Sequence, residues 1–107
     1  MSAFAAVMTG RGVGAIATIQ LLGESAETVL REIFRRADGR PCDLGVGRIF
    51  LGDIVEGEQT IDHVTVGCEG PSVFAIHCHG NPLIVQGIME LLQRRGMQPV
   101  RAEQLLA

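Results

Sequence analysis

Apolar and polar residues alternate, or apolar and β-branched residues cluster, in six short segments of the chain. Both patterns are typical of β-strands. Residues 15–22 are almost all apolar, which favours a strand that is buried on both faces. The predicted strands are residues 4–8, 15–22, 48–55, 60–68, 72–79 and 97–101.

The first segment with helical spacing follows Gly23, with Ser25 as its predicted N-cap. Its apolar stripe predicts a helix that continues to Gly39, a natural C-terminal residue. The stripe consists of Val29, Leu30, Ile33, Phe34 and Ala37.

The second helix is predicted from Pro82 to about Arg95. Asn81 is a favourable N-cap, and proline in the first turn leaves no backbone N–H without a partner. Gly87 lies inside this helix, where glycine costs about 1 kcal/mol relative to alanine. We therefore expect Gly87 to mark a close approach of another backbone.

The order of these elements predicts an α/β (α+β) fold in which two main helices cover a mixed β-sheet. The length of 107 residues predicts one domain, residues 1–107.

The net charge of −3 argues against strong direct binding of nucleic acid through its phosphates. The chain has no lysine, which excludes a Schiff-base mechanism and the lysine of a phosphate-binding P-loop. Arg35, Arg36, Arg94 and Arg95 fall near the predicted helix ends, where they are expected to offset the helix dipole, with anion recognition as the alternative.

The three cysteines form no CxxC pair, and no segment has the pattern of an export signal. Free thiols are expected in a reducing compartment, so we expect a cytoplasmic location. No apolar segment has the ~18 residues of a membrane helix, so no membrane association is expected.

The sequence His77-Cys78-His79-Gly80 stands where a strand meets a helix. Alternation places both histidines on one face, beside a helix N-terminus that favours anions, and Cys78 on the other. Three roles of the histidines are open from the sequence. They satisfy backbone groups at the helix start, they line a ligand pocket, or they bind a metal with a third ligand from Cys68 or His63. A Cys78 nucleophile is disfavoured because the thiol points away from both imidazoles.

A glycine-rich segment at residues 9–14 contains Arg11 and Gly12. It precedes a strand and not a helix, so it does not match a nucleotide-binding loop, and no nucleotide is expected. The alternatives are a structural turn, or a loop whose N–H groups and Arg11 approach another ligand or a partner chain.

Several motifs, in order, resemble the N-terminal domain of the tRNA modification GTPase family MnmE/TrmE. The most specific is residues 75–82, which resemble the family's EIHCHGGP segment. The other similar segments are residues 9–23, 47–49, 61–64, Gly96 and residues 101–102.

The resemblance implies a fold related to folate-binding modules of the aminomethyltransferase type. It implies a homodimer that binds a tetrahydrofolate derivative near the dimer contact, without nucleotide or metal. The residues it assigns to cofactor binding are Arg11, Gly12, His77, His79 and Gly80. In the family, helical and GTPase domains and a flavoprotein partner complete a protein that modifies the wobble uridine of tRNA.

Two positions depart from the family pattern. Gln20 stands where the family has an arginine, and Ala75 where it has a glutamate, and both family residues are associated with folate contact. An arginine makes charge-assisted hydrogen bonds of roughly 1.5–3 kcal/mol that glutamine cannot replace. Folate binding is therefore expected to be weakened by several decades, leaving a dimerisation module with a degenerate site.

Two alternatives remain open from the sequence. The first hypothesis is a small folate-dependent one-carbon-transfer enzyme. The second is a metal-binding module that uses His77 and His79. Because the chain has no P-loop, it is not expected to be catalytic by itself.

Overall fold

The computed structural model describes residues 2–8 and 16–106. Within these residues the chain forms one seven-stranded sheet and three helices, which confirms the predicted α+β class. The glycine-rich segment with Arg11 and Gly12 lies outside the described residues. None of the described helices is long and apolar enough to span a membrane.

The elements differ in length, and β5 is the longest strand. In chain order they are β1 (Ala3–Val7), β2 (Ile16–Gly23), α1 (Ala26–Ile33), β3 (Phe34–Arg36), β4 (Ile49–Glu56), β5 (Gln59–Gly70), β6 (Val73–His79), α2 (Pro82–Arg94), β7 (Gln98–Pro99) and α3 (Ala102–Leu106).

The strands lie in the order β3-β4-β5-β6-β2-β1-β7. Every neighbouring pair is antiparallel except β1 and β7, which are parallel, so the sheet is mixed as predicted. The two edge strands have only three and two residues, and the second contains Pro99. Short edges with proline resist the addition of another strand.

The core lies between one face of the sheet and the helices. Phe74, Ile76 and Cys78 of β6 are buried there with residues of α1 and α2. The other face of the sheet, called the open face below, consists of the alternate residues of β4, β5, β6 and β2. Its exposed apolar residues include Ile49 and Leu51, each 70% exposed.

Two predictions about the first half of the chain were wrong. The first helix ends at Ile33, because Phe34 adopts an extended conformation and pairs with Ile54 as part of β3. Ser25 is the N-cap residue as predicted, although its side chain makes no capping hydrogen bond. Strand β2 is buried on one face only, and Ile16 on its other face is 65% exposed.

The start of α2 agrees with the prediction. The side chain of Asn81 accepts a hydrogen bond from the backbone N–H of Leu83 at 2.8 Å, and Pro82 occupies the first turn. The expected close backbone contact at Gly87 was wrong. A Cβ at this position would meet only a methyl of Ile61, at 3.9 Å.

Candidate functional site

A buried carboxylate holds the junction between β6 and α2. Asp62 of β5 is 7% exposed and accepts a hydrogen bond from the backbone N–H of His79 at 2.9 Å. Its other oxygen lies 2.7 Å from Nδ1 of the same histidine. Charge-assisted hydrogen bonds of this kind are stronger than neutral ones, so Asp62 fixes both the backbone and the ring of His79.

The second histidine of the motif is fixed differently. His77 Nδ1 is hydrogen-bonded to Thr18 Oγ1 at 3.0 Å, across the pairing of β6 with β2. His77 and Thr18 are direct neighbours in register, and both lie on the open face. Each imidazole is thus oriented by a residue that is distant in sequence.

The two histidines border an open depression of about 430 Å³ on the open face. A third imidazole, that of His63, also lines it and is hydrogen-bonded to Asp53. The wall therefore carries three imidazoles and the carboxylate of Asp53. The remaining lining residues are Ile16, Ala37, Leu51, Gly52, Val64, Thr65 and Cys78.

Gln20 lies on the same face, one step further along β2. It is flanked in register by Ala6 of β1 and Ala75 of β6, which are buried but outside the main core. The side-chain amide of Gln20 donates to Glu69 at 2.9 Å. A carboxylate therefore stands beside position 20 even though Ala75 has none, and it comes from β5.

Cys78 is unsuited to nucleophilic chemistry. Its side chain faces the core, and burial together with the nearby Asp62 carboxylate raises the pKa of the thiol to about 11. A thiol of high pKa is largely protonated near neutral pH, and the thiolate is the reactive form.

A metal site has no support in the described part of the chain. No three histidine, cysteine, aspartate or glutamate side chains there are grouped to hold an ion. The third ligands considered from the sequence are occupied otherwise. Cys68 is buried and donates to the carbonyl of Gly70 at 3.2 Å, and His63 is bonded to Asp53.

The structure brings together three of the five residues assigned to cofactor binding. His77 and His79 lie on one strand, and Gly80 is the buried residue between that strand and Asn81. Arg11 and Gly12 lie outside the described residues, so their predicted role stays a prediction.

Sequence reasoning missed the residues that hold this site in place. Asp62 falls inside a predicted strand, in a segment that resembles the family, and Glu69 falls just after that strand. Their signal was weak because each partner lies far away in the chain, 17 residues for His79 and 49 for Gln20. Only an acidic residue at an otherwise apolar, core-facing strand position, as Asp62 is, offers a clue.

The fold and the site define a class of protein first. It is a small α+β domain whose helices cover one face of a mixed sheet, while a histidine-lined depression occupies the other. Residues 3–103 match the family described as GTP-binding protein TrmE N-terminus. The chain belongs to this family.

Full-length relatives agree with the family match. The chain is 32% identical to the tRNA modification GTPase MnmE of Flavobacterium psychrophilum and covers 23% of that protein. It is also 32% identical to MnmE of Desulfotalea psychrophila and 34% identical to MnmE of Flavobacterium johnsoniae. The matches cover 91%, 86% and 85% of this chain, respectively. The chain spans less than a quarter of the length of these relatives.

Proposed function

We propose that this chain serves as the N-terminal dimerisation module of a tRNA modification GTPase. We further propose that its open face carries a weakened binding site for a tetrahydrofolate derivative. The observation on which the proposal depends is the match of residues 3–103 to the TrmE N-terminus family, together with the names of the relatives. Hydrolysis of GTP would belong to other parts of such a protein, because this chain lacks the P-loop lysine.

The exposed apolar residues support dimerisation through the open face. Ile49 and Leu51 are adjacent on this face of β4, and Ile16 of β2 borders the same depression. Exposed apolar residues that lie together, as Ile49 and Leu51 do, mark interaction sites in soluble proteins. The short edge strands disfavour association by strand addition, so a second copy would pack face to face and cover the depression.

The surroundings of Gln20 support a weakened folate site. The amide of Gln20 supplies no positive charge, and its hydrogen bond to Glu69 leaves a carboxylate where a carboxylate-bearing ligand would meet repulsion. We expect the chain to bind 5-formyltetrahydrofolate weakly. The depression and the two oriented imidazoles would remain as the ligand-facing surface.

Two measurements test the proposal. Sedimentation velocity of the purified chain should show a species of twice 11.4 kDa, and a monomer at all concentrations would contradict the dimer.

Calorimetric titration with 5-formyltetrahydrofolate should show weaker binding to the native chain than to Gln20→Arg. The expected gain is about tenfold or more, because one charge-assisted hydrogen bond contributes roughly 1.5–3 kcal/mol.

Gln86→Arg is the matched control for the titration. Gln86 also donates its amide to a glutamate, Glu90, but it lies on the exposed side of α2. The same charge added there should leave affinity unchanged. Equal gains in both variants would show that net charge alone matters and would contradict a ligand contact at position 20.

A further inference from the structure

The positive charge of this chain is concentrated at one edge. Residues 31–48 contain five of the nine arginines but only three of the twelve acidic residues. The remainder is strongly acidic, so the overall charge of −3 conceals a positive region. The edge concerned is that of β3 and the segment that follows it.

The five arginines share one surface. Arg31, Arg35, Arg36 and Arg40 line a depression of about 270 Å³. The guanidinium carbon of Arg36 lies 4.3 Å from the centre of the Phe50 ring, and that of Arg48 lies 5.9 Å from it. We call Arg31, Arg35, Arg36, Arg40 and Arg48 the arginine surface.

Nearby carboxylates neutralise only part of this charge. Glu27 lies 2.8 Å from Arg31, and Asp38 lies 2.6 Å from Arg36. Asp43 is 3.9 Å from Arg48, a loose contact between exposed groups. Such surface pairs are weak and are screened by salt, so they can be exchanged for a stronger anion.

Two guanidinium groups have no carboxylate partner in the part of the chain that the structure describes. Arg35 donates to the carbonyl oxygens of Arg31 and Glu32, at 3.2 and 3.3 Å. Arg40 is exposed, and its side chain forms no ion pair among the described residues. Arg35 is therefore held in place by backbone carbonyls at the helix end, and Asp53 lies opposite it in the pairing of β3 with β4.

The chemistry of the surface fits phosphate groups better than a protein interface. Guanidinium groups match phosphate in a planar, bidentate geometry. Protein interfaces are anchored by exposed aromatic residues together with arginine. The aromatic ring at this place, Phe50, is half buried and already stacked with two arginines.

We propose that the arginine surface contacts the phosphate backbone of RNA. The inference rests on the proposed function, because the tRNA substrate is taken from the names of the relatives. The contact is local and independent of base sequence, and the acidic remainder of the chain would orient the domain with this edge toward the RNA. The depression lined by these arginines shares no residue with the one on the open face, although Arg48 directly precedes Ile49 of that face.

The test is fluorescence anisotropy with a labelled tRNA transcript, titrated with the native chain and two variants at several salt concentrations. Arg40→Glu should weaken binding roughly tenfold at low salt and reduce the salt slope by about one or more. Arg101→Glu is the control, since Arg101 is also exposed and loosely paired, 3.8 Å from Glu103. It changes the net charge by the same amount and should have a much smaller effect.

Other outcomes would overturn the RNA contact. Equal losses in both variants would indicate net charge alone, and equal affinity of the native chain for poly-glutamate would indicate an acidic protein partner. Absence of tRNA binding at low salt in a chain that sediments as a dimer would overturn the arginine surface and leave the proposed module intact. A monomer that binds tRNA through Arg40 would overturn only the dimer.

Discussion

Asp62 connects three elements through a single side chain. Its carboxylate reaches from β5 to the last residue of β6, and that residue leads through Gly80 into the cap of α2. A buried carboxylate is costly unless its oxygens are hydrogen-bonded, and here both oxygens have partners. The orientation of His79 at the depression therefore depends on a residue in the interior.

At this residue we predict that Asp62→Ala lowers the free energy of unfolding by about 1–3 kcal/mol, because the backbone N–H of His79 loses its acceptor. Asp53→Ala is the control, since its partner His63 has a side chain that is 79% exposed. That change should cost less than about 1 kcal/mol. Urea denaturation of both variants measures the difference. Equal losses would mean that the interior carboxylate has no special role.

The thiols provide a second test at the residue scale. At pH 8 iodoacetamide should modify Cys78 far more slowly in the folded chain than in urea, because burial raises its pKa to about 11 and limits access. Cys42, which is only half buried, should react sooner. Mass spectrometry of the alkylated peptides identifies the order. Faster labelling of Cys78 would contradict its position in the core.

The same thiol predicts a pH dependence of stability. Its pKa is raised in the folded chain, so the folded state retains the proton that the unfolded state loses above pH 9. The contribution is fully present below pH 9 and is lost as the pH rises toward about 11. Denaturation curves of the native chain and Cys78→Ala should therefore converge over this interval. A constant difference between them would contradict the shift.

At the scale of elements, the sequence predicted those whose signals are local. Asn81 and Pro82 mark the start of α2, and alternation along β6 separates His77 from Cys78; both features appear in the structure. The end of α1 was not predictable in this way. Ile33 ends the helix and Phe34 begins the strand, and both side chains are buried. A stripe of apolar residues therefore does not show where the helix ends.

Pairing with β4 decides the conformation of that segment. Phe34 pairs with Ile54 and Arg36 with Gly52, contacts that join residues far apart in the chain. Ala37, expected on the buried stripe, is exposed and donates its N–H to the carbonyl of Leu51 at 2.9 Å. Non-local pairing therefore overrides helical periodicity at this point.

Gly52 makes this pairing sterically possible. A Cβ there would lie 2.1 Å from the carbonyl oxygen of Arg35 and 2.6 Å from the Phe34 ring. We predict that Gly52→Ala lowers the free energy of unfolding by about 1–3 kcal/mol, because β3 must move away from β4. Gly87→Ala should instead stabilise the chain by about 0.5–1 kcal/mol, since α2 has room for a methyl.

Thermal and urea denaturation of the two glycine variants compare strand pairing with helix propensity directly. The two substitutions add the same methyl group, so opposite signs are expected from position alone. A neutral Gly52→Ala would show that β3 is not held as closely as the structure indicates.

At the scale of the whole molecule, the two faces of the sheet present different surfaces. One face is covered by α1 and α2, and the other presents the depression, the oriented histidines and the exposed apolar residues of β4. The sequence identified the His77 and His79 strand, but not the pairing of Gln20 with Glu69 or of Asp62 with His79. Those contacts depend on strand order and register, which local patterns do not determine.

We propose that a second copy of the chain packs on the open face of the sheet. Sedimentation velocity of Leu51→Glu against Leu83→Glu tests it most directly, because both leucines are exposed, 70% and 78%, but Leu83 lies on the helical side. A charge placed in a desolvated interface should weaken the dimer at least about tenfold, while the same charge on α2 should not. We expect a monomer or a weakened dimer for Leu51→Glu and a native dimer for Leu83→Glu. An unchanged dimer for Leu51→Glu would contradict this proposal.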